Sequence, residues 1–368
     1  MSTTTINKRS QAKPNKTSKT PVSANSKKVT LLGVNIGHSG SKVATLKGWD
    51  TKSLSFPTAM LQVPSSEGHD RVFEYEGKLY VCANEADRDE NAERLVTDLN
   101  SVMDGRKVKE FDRYFRALMT RITPLDKCSK TKHYKISLST SAREESFDEI
   151  AATAERVKSV VINGFTYRYS IKVSGVYPES YGVSSSRNSA KMKGCNFNKA
   201  YLLDLGEGTI ILSKFNTEES GVTRSSDKGL ILRRKLGEGC AKVISMWGDW
   251  AAKYNNGITP NPAILRRALE AKPNKDGYNF ACAKDQSDGY NEALRNVLDI
   301  RWKAVTQLPL IAQALKDKEN FGYNIYACGG GALLFREILD RAGIEIVPSP
   351  RTADVIGLVN KLRAEGVK

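Results

Sequence analysis

The alternation of apolar runs and glycine-containing turns along the chain predicts a mixed α/β protein. Residues 201–215 (YLLDLGEGTIILSKF) place an apolar run on each side of D-L-G-E-G-T. Two short apolar runs joined by a turn that contains glycine are typical of a β-hairpin. Residues 29–46 repeat this strand–turn–strand pattern around N-I-G-H-S-G-S-K. The pattern therefore predicts one such hairpin in each half of the chain.

A third glycine-rich turn, C-G-G-G-A at 328–332, lies between a predicted strand and a predicted helix. Such a turn brings the amides of a helix N-terminus close to a ligand. Apolar spacing elsewhere predicts further helices and strands. The predicted helices are 107–119, 146–161, 241–253, 260–271, 292–316 with a boundary at Pro309, 333–342 and 352–363. The other predicted strands are within 54–82, and at 133–139, 165–176, 221–235 and 324–327.

The chemistry of the two hairpin turns suggests a phosphate clamp. Glycines let the backbone approach an anion and direct N–H groups at it. The carboxylate of Asp204 is placed to hold a hydrated Mg²⁺ on the same anion, and Lys42 offers a positive charge to phosphate oxygens. The alternatives are an ordinary hairpin with a polar turn and a solvated strand lysine. Neither the G-x-x-x-x-G-K-[ST] loop nor a helix directly after the first glycines is present, which excludes the P-loop and the dinucleotide-binding fingerprint.

Composition agrees with a soluble globular protein of more than one domain. The 368 residues are 40% hydrophobic and 27% charged, and six cysteines are scattered without a C-x-x-C pair. Chains of this length commonly form two domains, and scattered cysteines are typical of reduced cytosolic thiols. The sequence contains only three histidines, which disfavours a histidine-based metal site or catalytic triad.

The formal net charge of +16 is concentrated in part at the N-terminus. Residues 1–28 contain seven Lys or Arg and no acid, which leaves +9 for the rest of the chain. This polar segment has almost no large apolar residue, so we expect it to be disordered. It is either an interaction tail, for DNA, an acidic partner or a membrane surface, or only a solubilising spacer.

The three turns, in this order, resemble the phosphate and adenosine motifs of the actin/Hsp70/hexokinase superfamily. N-I-G-H-S-G-S-K is similar to the first phosphate motif, D-L-G-E-G-T to the second, and A-C-G-G-G-A at 327–332 to the adenosine motif. V-Y-P-E-S-Y-G-V at 176–183 resembles a segment of the bacterial plasmid-segregation actins of the ParM/StbA type. The resemblance implies the two-domain actin-like ATPase fold, with duplicated ribonuclease-H-like domains around a nucleotide cleft. It implies domain I at 29–183, with 350–368 returning to it, and domain II at 197–349.

The resemblance also implies a role for each matched residue. Asp204 would hold Mg²⁺ through water and help to orient the attacking water, and Glu179 would polarise that water. ATP, or GTP, would be the nucleotide. Without the resemblance, Glu179 would be interpreted first as a surface carboxylate of a helix or loop. The residues implied to cradle phosphates or adenosine are Asn35, Gly37, Ser39, Gly40, Ser41, Lys42, Gly206, Gly208, Thr209, Gly329, Gly330 and Gly331.

The first motif departs from the family pattern, because Asn35 stands where an aspartate is usual. An amide keeps the size of the side chain but removes a charge that helps to hold Mg²⁺. We therefore expect slower turnover than in relatives with aspartate, and we predict that Asn35→Asp increases it.

The resemblance implies a cytoplasmic, ATP-dependent filament of this chain, with hydrolysis controlling filament stability. In ParM-like proteins such filaments move plasmid DNA through a small DNA-binding adaptor, and a cytoskeletal role is the other possibility. Two alternatives use the same fold. One is a phosphotransferase or exopolyphosphatase that forms no filament, and the other is a nucleotide-binding scaffold with weak or no hydrolysis.

Overall fold

A computed structural model describes most of the chain after residue 28. The described residues are 29–37, 40–47, 50–87, 92–94, 106–126, 130–142, 144–185, 195–216, 230–270, 273 and 277–365. The predicted basic tail at 1–28 lies outside these residues, and so does Ser39. No helix in the described part of the chain is both long enough and apolar enough to cross a lipid bilayer.

The described strands form two sheets. The first has the order β3-β2-β1-β8-β10-β9-β5-β6-β4-β7, and the second has the order β13-β12-β11-β14-β15. The strands of the first sheet are β1 (Val29–Ile36), β2 (Gly40–Lys47), β3 (Asp50–Pro57), β4 (Ala59–Val63), β5 (Phe73–Tyr75), β6 (Lys78–Cys82), β7 (Glu93–Arg94), β8 (Lys132–Thr140), β9 (Ser159–Ile162) and β10 (Phe165–Pro178). Those of the second are β11 (Lys199–Leu205), β12 (Thr209–Asn216), β13 (Leu230–Glu238), β14 (Asn324–Cys328) and β15 (Glu345–Ile346).

The helices cover the faces of these sheets. They are α1 (Asn84–Asp87), α2 (Arg106–Lys109), α3 (Phe111–Ile122), α4 (Phe147–Arg156), α5 (Tyr181–Ser185), α6 (Ala241–Ala251), α7 (Pro262–Glu270), α8 (Lys284–Thr306), α9 (Pro309–Phe321), α10 (Gly331–Leu334), α11 (Arg336–Arg341) and α12 (Ala353–Ala364). Short 3₁₀ turns occupy Glu144–Ser146 and Ala252–Tyr254.

Both sheets are built on one plan. In the first, β1 pairs antiparallel with β2, β2 pairs antiparallel with β3, and β1 and β10 both pair parallel with β8. In the second, β11, β12 and β13 form the antiparallel part, and β14 and β15 extend it in parallel. This repeated order confirms the expected fold, a duplicated α/β unit of the ribonuclease-H type.

Two helix predictions need correction. The helix predicted at 146–161 ends at Arg156, because Val157 takes an extended conformation with φ −70° and ψ 92°. The chain then forms β9, which pairs with β10. The helix predicted at 292–316 begins earlier, at Lys284, and Pro309 separates it from α9 as expected. Pro309 lacks a backbone N–H and therefore starts the second helix.

Helices α5 and α12 connect the two sheets in opposite directions. The buried Val183 of α5, which follows β10, packs in an apolar cluster with second-sheet side chains such as Leu202. Helix α12 follows β15 and packs Val355 and Val359 against Leu31 of the first sheet.

The two helices meet where neither has a side chain. A Cβ on Gly357 would lie 1.7 Å from the carbonyl oxygen of Gly182, and a Cβ on Gly182 would lie 2.0 Å from the carbonyl oxygen of Asp354. Gly33 of β1 allows a similar approach, because its Cβ would lie 2.1 Å from the carbonyl oxygen of Val355. Backbone-to-backbone contact therefore fixes α12 against both α5 and β1.

Gly357→Ala is expected to separate these helices and to destabilise the protein by about 2–3 kcal/mol, the usual cost of overpacking. Thermal unfolding followed by circular dichroism measures the change. Gly330→Ala is the control, because a Cβ there would meet no atom within 4 Å. Equal midpoints for the two variants would contradict the tight crossing.

Candidate nucleotide site

The two hairpin turns are closed by the same kind of backbone hydrogen bond. In the first, the N–H of Gly37 donates to the carbonyl oxygen of Gly40 at 3.1 Å, and in the second the N–H of Gly206 donates to that of Thr209 at 2.9 Å. A Cβ on either donor glycine would come within 3 Å of the carbonyl it bonds. Asn35 and Asp204 each stand two residues before the donor glycine. The turns are thus structural counterparts, and Asn35 corresponds to Asp204.

The second turn is held in place by the start of α6. The N–H groups of Cys240 and Ala241 donate to the carbonyl oxygens of Gly206 and Glu207, both at 2.9 Å. Gly239 makes this approach possible, because a Cβ there would lie 2.2 Å from the carbonyl oxygen of Gly206.

The triple-glycine turn closes against Asp204. Gly329 has φ +85°, and a Cβ on it would lie 2.4 Å from Oδ1 of Asp204. Gly331 begins α10, and a Cβ there would lie 2.2 Å from Sγ of Cys240. Gly330, between them, has open space where its Cβ would project. The turn therefore packs tightly at both ends and faces open space in the middle.

These turns line one cleft between the two sheets. The predicted site residues that line it are Asn35, Gly37, Gly40, Lys42, Glu179, Asp204, Gly206, Gly208, Thr209, Gly329, Gly330 and Gly331. Ser41 is not brought to the cleft. It is 3% exposed, and its hydroxyl is 2.9 Å from that of Thr58, because alternate residues of a strand face opposite sides. Ser39 lies outside the described residues.

Asn35 is a hydrogen-bond donor to the end of β8 and to Glu179. Its Nδ2 lies 3.0 Å from Oγ of Ser139, 3.3 Å from the carbonyl oxygen of Ser139 and 3.4 Å from Oε1 of Glu179. A carbonyl and a carboxylate only accept hydrogen bonds, so this network assigns the amide orientation. The other amide atom, Oδ1, is buried without a hydrogen-bond partner. The backbone N–H of Glu179 in turn donates to the carbonyl of Thr140 at 3.0 Å.

Asp354, in the first turn of α12, is a cleft residue that the sequence argument missed. It accepts hydrogen bonds from the hydroxyl of Ser139 at 2.5 Å and from the backbone N–H of Gly182 at 2.7 Å. Burial raises the pKa of its carboxyl above the ordinary value, and these two hydrogen bonds act against that rise. The only sequence signal was an aspartate three residues before a glycine within a predicted helix, which is also typical of a solvated helix start.

Burial also raises the pKa of two cysteine thiols in the cleft. That of Cys240 rises to about 12. That of Cys328 is raised well above its ordinary value, first by burial and then by the carboxylates of Asp204 and Asp354. Both thiols are therefore neutral near pH 7, and neither is a nucleophile for the cleft.

Arginines line the cleft beside the second turn and the triple-glycine turn. Arg266 pairs with Glu207 at 3.0 Å, and Arg267 and Arg351 also line the cleft. Ile244 and Leu334 add apolar lining. The cleft thus presents carboxylates, glycine-rich backbone, cations and an apolar wall, the groups that a nucleotide and its metal ion require.

The residues present fit a hydrated Mg²⁺ ion. Within the described residues, no three His, Cys, Asp or Glu side chains are close enough to ligate an ion together. Magnesium usually keeps several waters and is held by one or two carboxylates together with phosphates. The cleft offers Asp204, Glu179 and the unpartnered Oδ1 of Asn35 for such waters.

Solved structures similar to this fold include actin-like proteins. An archaeal actin homologue aligns over 91% of this chain and 99% of its own, with a TM-score of 0.61 and 14% identity, and it has also been solved with ADP. A ParM of Bacillus thuringiensis with ATP aligns over 93% of this chain and 100% of its own, with a TM-score of 0.58 and 13% identity. A 15-stranded ParM filament from Clostridium botulinum aligns over 91% and 99%, with a TM-score of 0.57 and 14% identity.

No protein-family model matches the sequence, and no curated protein matches it either. The likeness to solved structures nevertheless establishes the actin-like fold that the sequence motifs predicted.

Proposed function

We propose that this protein binds ATP or GTP with Mg²⁺ in the cleft, polymerises into cytoplasmic filaments, and hydrolyses the nucleotide to control filament stability. The observation that carries the proposal is the convergence of two matched hairpin turns and the triple-glycine turn on one cleft. Backbone amides of such turns favour phosphate. Similar solved structures, which include an ADP complex, an ATP complex and a filament, support it.

We propose roles for the cleft residues from the family resemblance together with their positions. Gly206, Gly208 and Thr209 approach the phosphates from one sheet, and Gly37, Gly40 and Lys42 approach them from the other. Gly329, Gly330 and Gly331 cover the nucleoside end. Asp204 and Glu179 orient the attacking water. Phosphoryl transfer to water needs positioning and charge neutralisation rather than a covalent nucleophile.

Asp204 and Oδ1 of Asn35 would hold the waters of a hydrated Mg²⁺ ion in this arrangement. The ion supplies charge neutralisation for the phosphate oxygens when it is bound. Asn35 also donates to Glu179, which keeps that carboxylate at the phosphate end of the cleft.

The proposed cellular role is segregation of DNA or a cytoskeletal function. A small DNA-binding adaptor would connect the filament to DNA, as in the ParM-like proteins that the motifs resemble. The basic segment 1–28 would contact DNA, an acidic partner or an anionic membrane surface, because its seven cations carry no compensating acid.

Gly330→Ala is expected to weaken nucleotide binding about tenfold or more, because a methyl group would enter the space proposed for the ligand. The fold should not change, since the added Cβ meets no atom within 4 Å and φ −66° with ψ −35° suits alanine. Titration with a fluorescent ATP analogue measures affinity, and circular dichroism checks the fold. Wild-type affinity in the folded variant would place the nucleotide elsewhere.

Filament assembly is expected with ATP, with less assembly in ADP or without nucleotide. Sedimentation and electron microscopy under the three conditions measure it, and Gly330→Ala, at a nucleotide concentration that half-saturates the wild type, should assemble less. Monodisperse protein under all conditions, across a wide range of protein and salt concentration, would instead favour a phosphotransferase or exopolyphosphatase on this fold. Assembly without measurable hydrolysis would favour a nucleotide-binding scaffold, as the missing charge at Asn35 would suggest.

A further inference from the structure

A hydrogen-bonded chain connects Asn35, at the end of β1, to Asp354, on α12. Nδ2 of Asn35 lies 3.0 Å from Oγ of Ser139, and that hydroxyl lies 2.5 Å from Oδ2 of Asp354. The other carboxylate oxygen of Asp354 accepts the N–H of Gly182 at 2.7 Å. Asp354 also lines the cleft. These hydrogen bonds thus connect helices α5 and α12, at the point where they cross, to the end of the cleft proposed to hold the phosphates.

The direction of this chain is fixed by the chemistry of its members. The hydroxyl of Ser139 has one hydrogen. Asp354 is the stronger acceptor, so that hydrogen goes to Asp354, and the hydroxyl oxygen accepts from Asn35. The same amide group donates to Glu179 at 3.4 Å. The amide of Asn35 therefore donates to the hydroxyl of Ser139, and that hydroxyl donates to the carboxylate of Asp354. Reversing this direction requires a carboxylate at position 35 and an amide at position 354.

We propose that Asp354 supplies to the cleft the carboxylate charge that Asn35 lacks, and that through Ser139 it positions Asn35 and Glu179 for nucleotide hydrolysis. This inference rests on the proposed nucleotide-hydrolysing function. Asp354 is a positioning residue, because its hydrogen bonds are to Ser139 and Gly182. Its negative charge lies in the same cleft as Asp204 and raises the pKa of the same buried thiol, that of Cys328.

The proposal reverses the expectation from sequence for Asn35→Asp. The introduced carboxylate would face Glu179, where the amide now donates at 3.4 Å, and the carbonyl of Ser139 at 3.3 Å. It would also compete with Asp354 for the single hydrogen of the Ser139 hydroxyl. The substitution by itself is therefore expected to lower turnover. With Asp354→Asn added, the hydroxyl can donate to position 35, and the new amide oxygen can still accept the N–H of Gly182.

The test is a double-mutant cycle of wild type, Asn35→Asp, Asp354→Asn and the double variant. Each single variant is expected to lose about 10- to 100-fold in the single-turnover hydrolysis rate, at or below the lower end of what a general base contributes because the base is displaced and not removed. The Kd for nucleotide is expected to change less than about threefold. The double variant is expected to recover to within about tenfold of wild type. Losses that multiply in the double variant, or an Asp354→Asn rate equal to wild type, overturn the proposal.

Ser53→Ala is the matched control for a purely structural role. Oγ of Ser53 lies 3.1 Å from that of Thr352, so this substitution also removes a hydrogen bond between the first sheet and the start of α12, outside the cleft. It is expected to leave the hydrolysis rate unchanged, with a small loss of thermal stability. A loss of rate like that of Asp354→Asn would show that weakening any contact between the first sheet and α12 is enough to slow hydrolysis. That result would overturn the positioning role.

The same measurements separate this inference from the proposed function. A wild-type chain that binds no ATP or GTP, or turns neither over, overturns the proposed function and this inference with it. A wild-type chain that binds and hydrolyses nucleotide, beside an unaffected Asp354→Asn variant, leaves the proposed function in place and overturns only the inference.

Discussion

The backbone contact between helices α5 and α12 determines where the groups of the cleft lie. Glycines at 33, 182 and 357 let α12 rest directly on β1 and on α5. Glu179 stands just before α5, and Asp354 stands in the first turn of α12. A methyl group at any of these glycines would meet backbone atoms, which cannot move aside as a flexible side chain can. The separation of the carboxylates is therefore set by main-chain packing.

Because of the same crossing, the geometry of the cleft depends on the relative position of the two sheets. Helices α5 and α12 pass between the sheets in opposite directions, and the hydrogen bonds of Asp354 lie at their crossing. A change in the crossing would alter the path from Asp354 through Ser139 to Asn35. If the protein assembles as proposed, assembly would reach the cleft through these short, directional hydrogen bonds.

Local patterns in the sequence predicted the parts of the fold and site that are formed locally. Both hairpins, the triple-glycine turn and the boundary at Pro309 depend on neighbouring residues, and the structure contains them. The end of α4 was missed because the apolar spacing of 157–161 suits helix and strand equally, and only the pairing of β9 with β10 decides it. The side chain of Ser41 points away from the cleft because it alternates with Gly40 and Lys42 along the strand, a direction that the strand pattern alone predicts. The position of Asp354 in the site could not be predicted from local sequence, because its partner Ser139 is 215 residues away in the chain.

The difference between the matched turns explains why an amide is compatible with this cleft. Asp204 and Asn35 occupy equivalent positions, so an aspartate at both would place two carboxylates in the cleft beside Glu179 and Asp354. Like charges at short range in a partly buried site are unfavourable unless donors or a cation offset them. The amide of Asn35 provides donors to Glu179 and Ser139 and keeps Oδ1 as an acceptor. Because Asp354 also places a carboxylate in the cleft, the asparagine at position 35 does not leave the cleft short of negative charge.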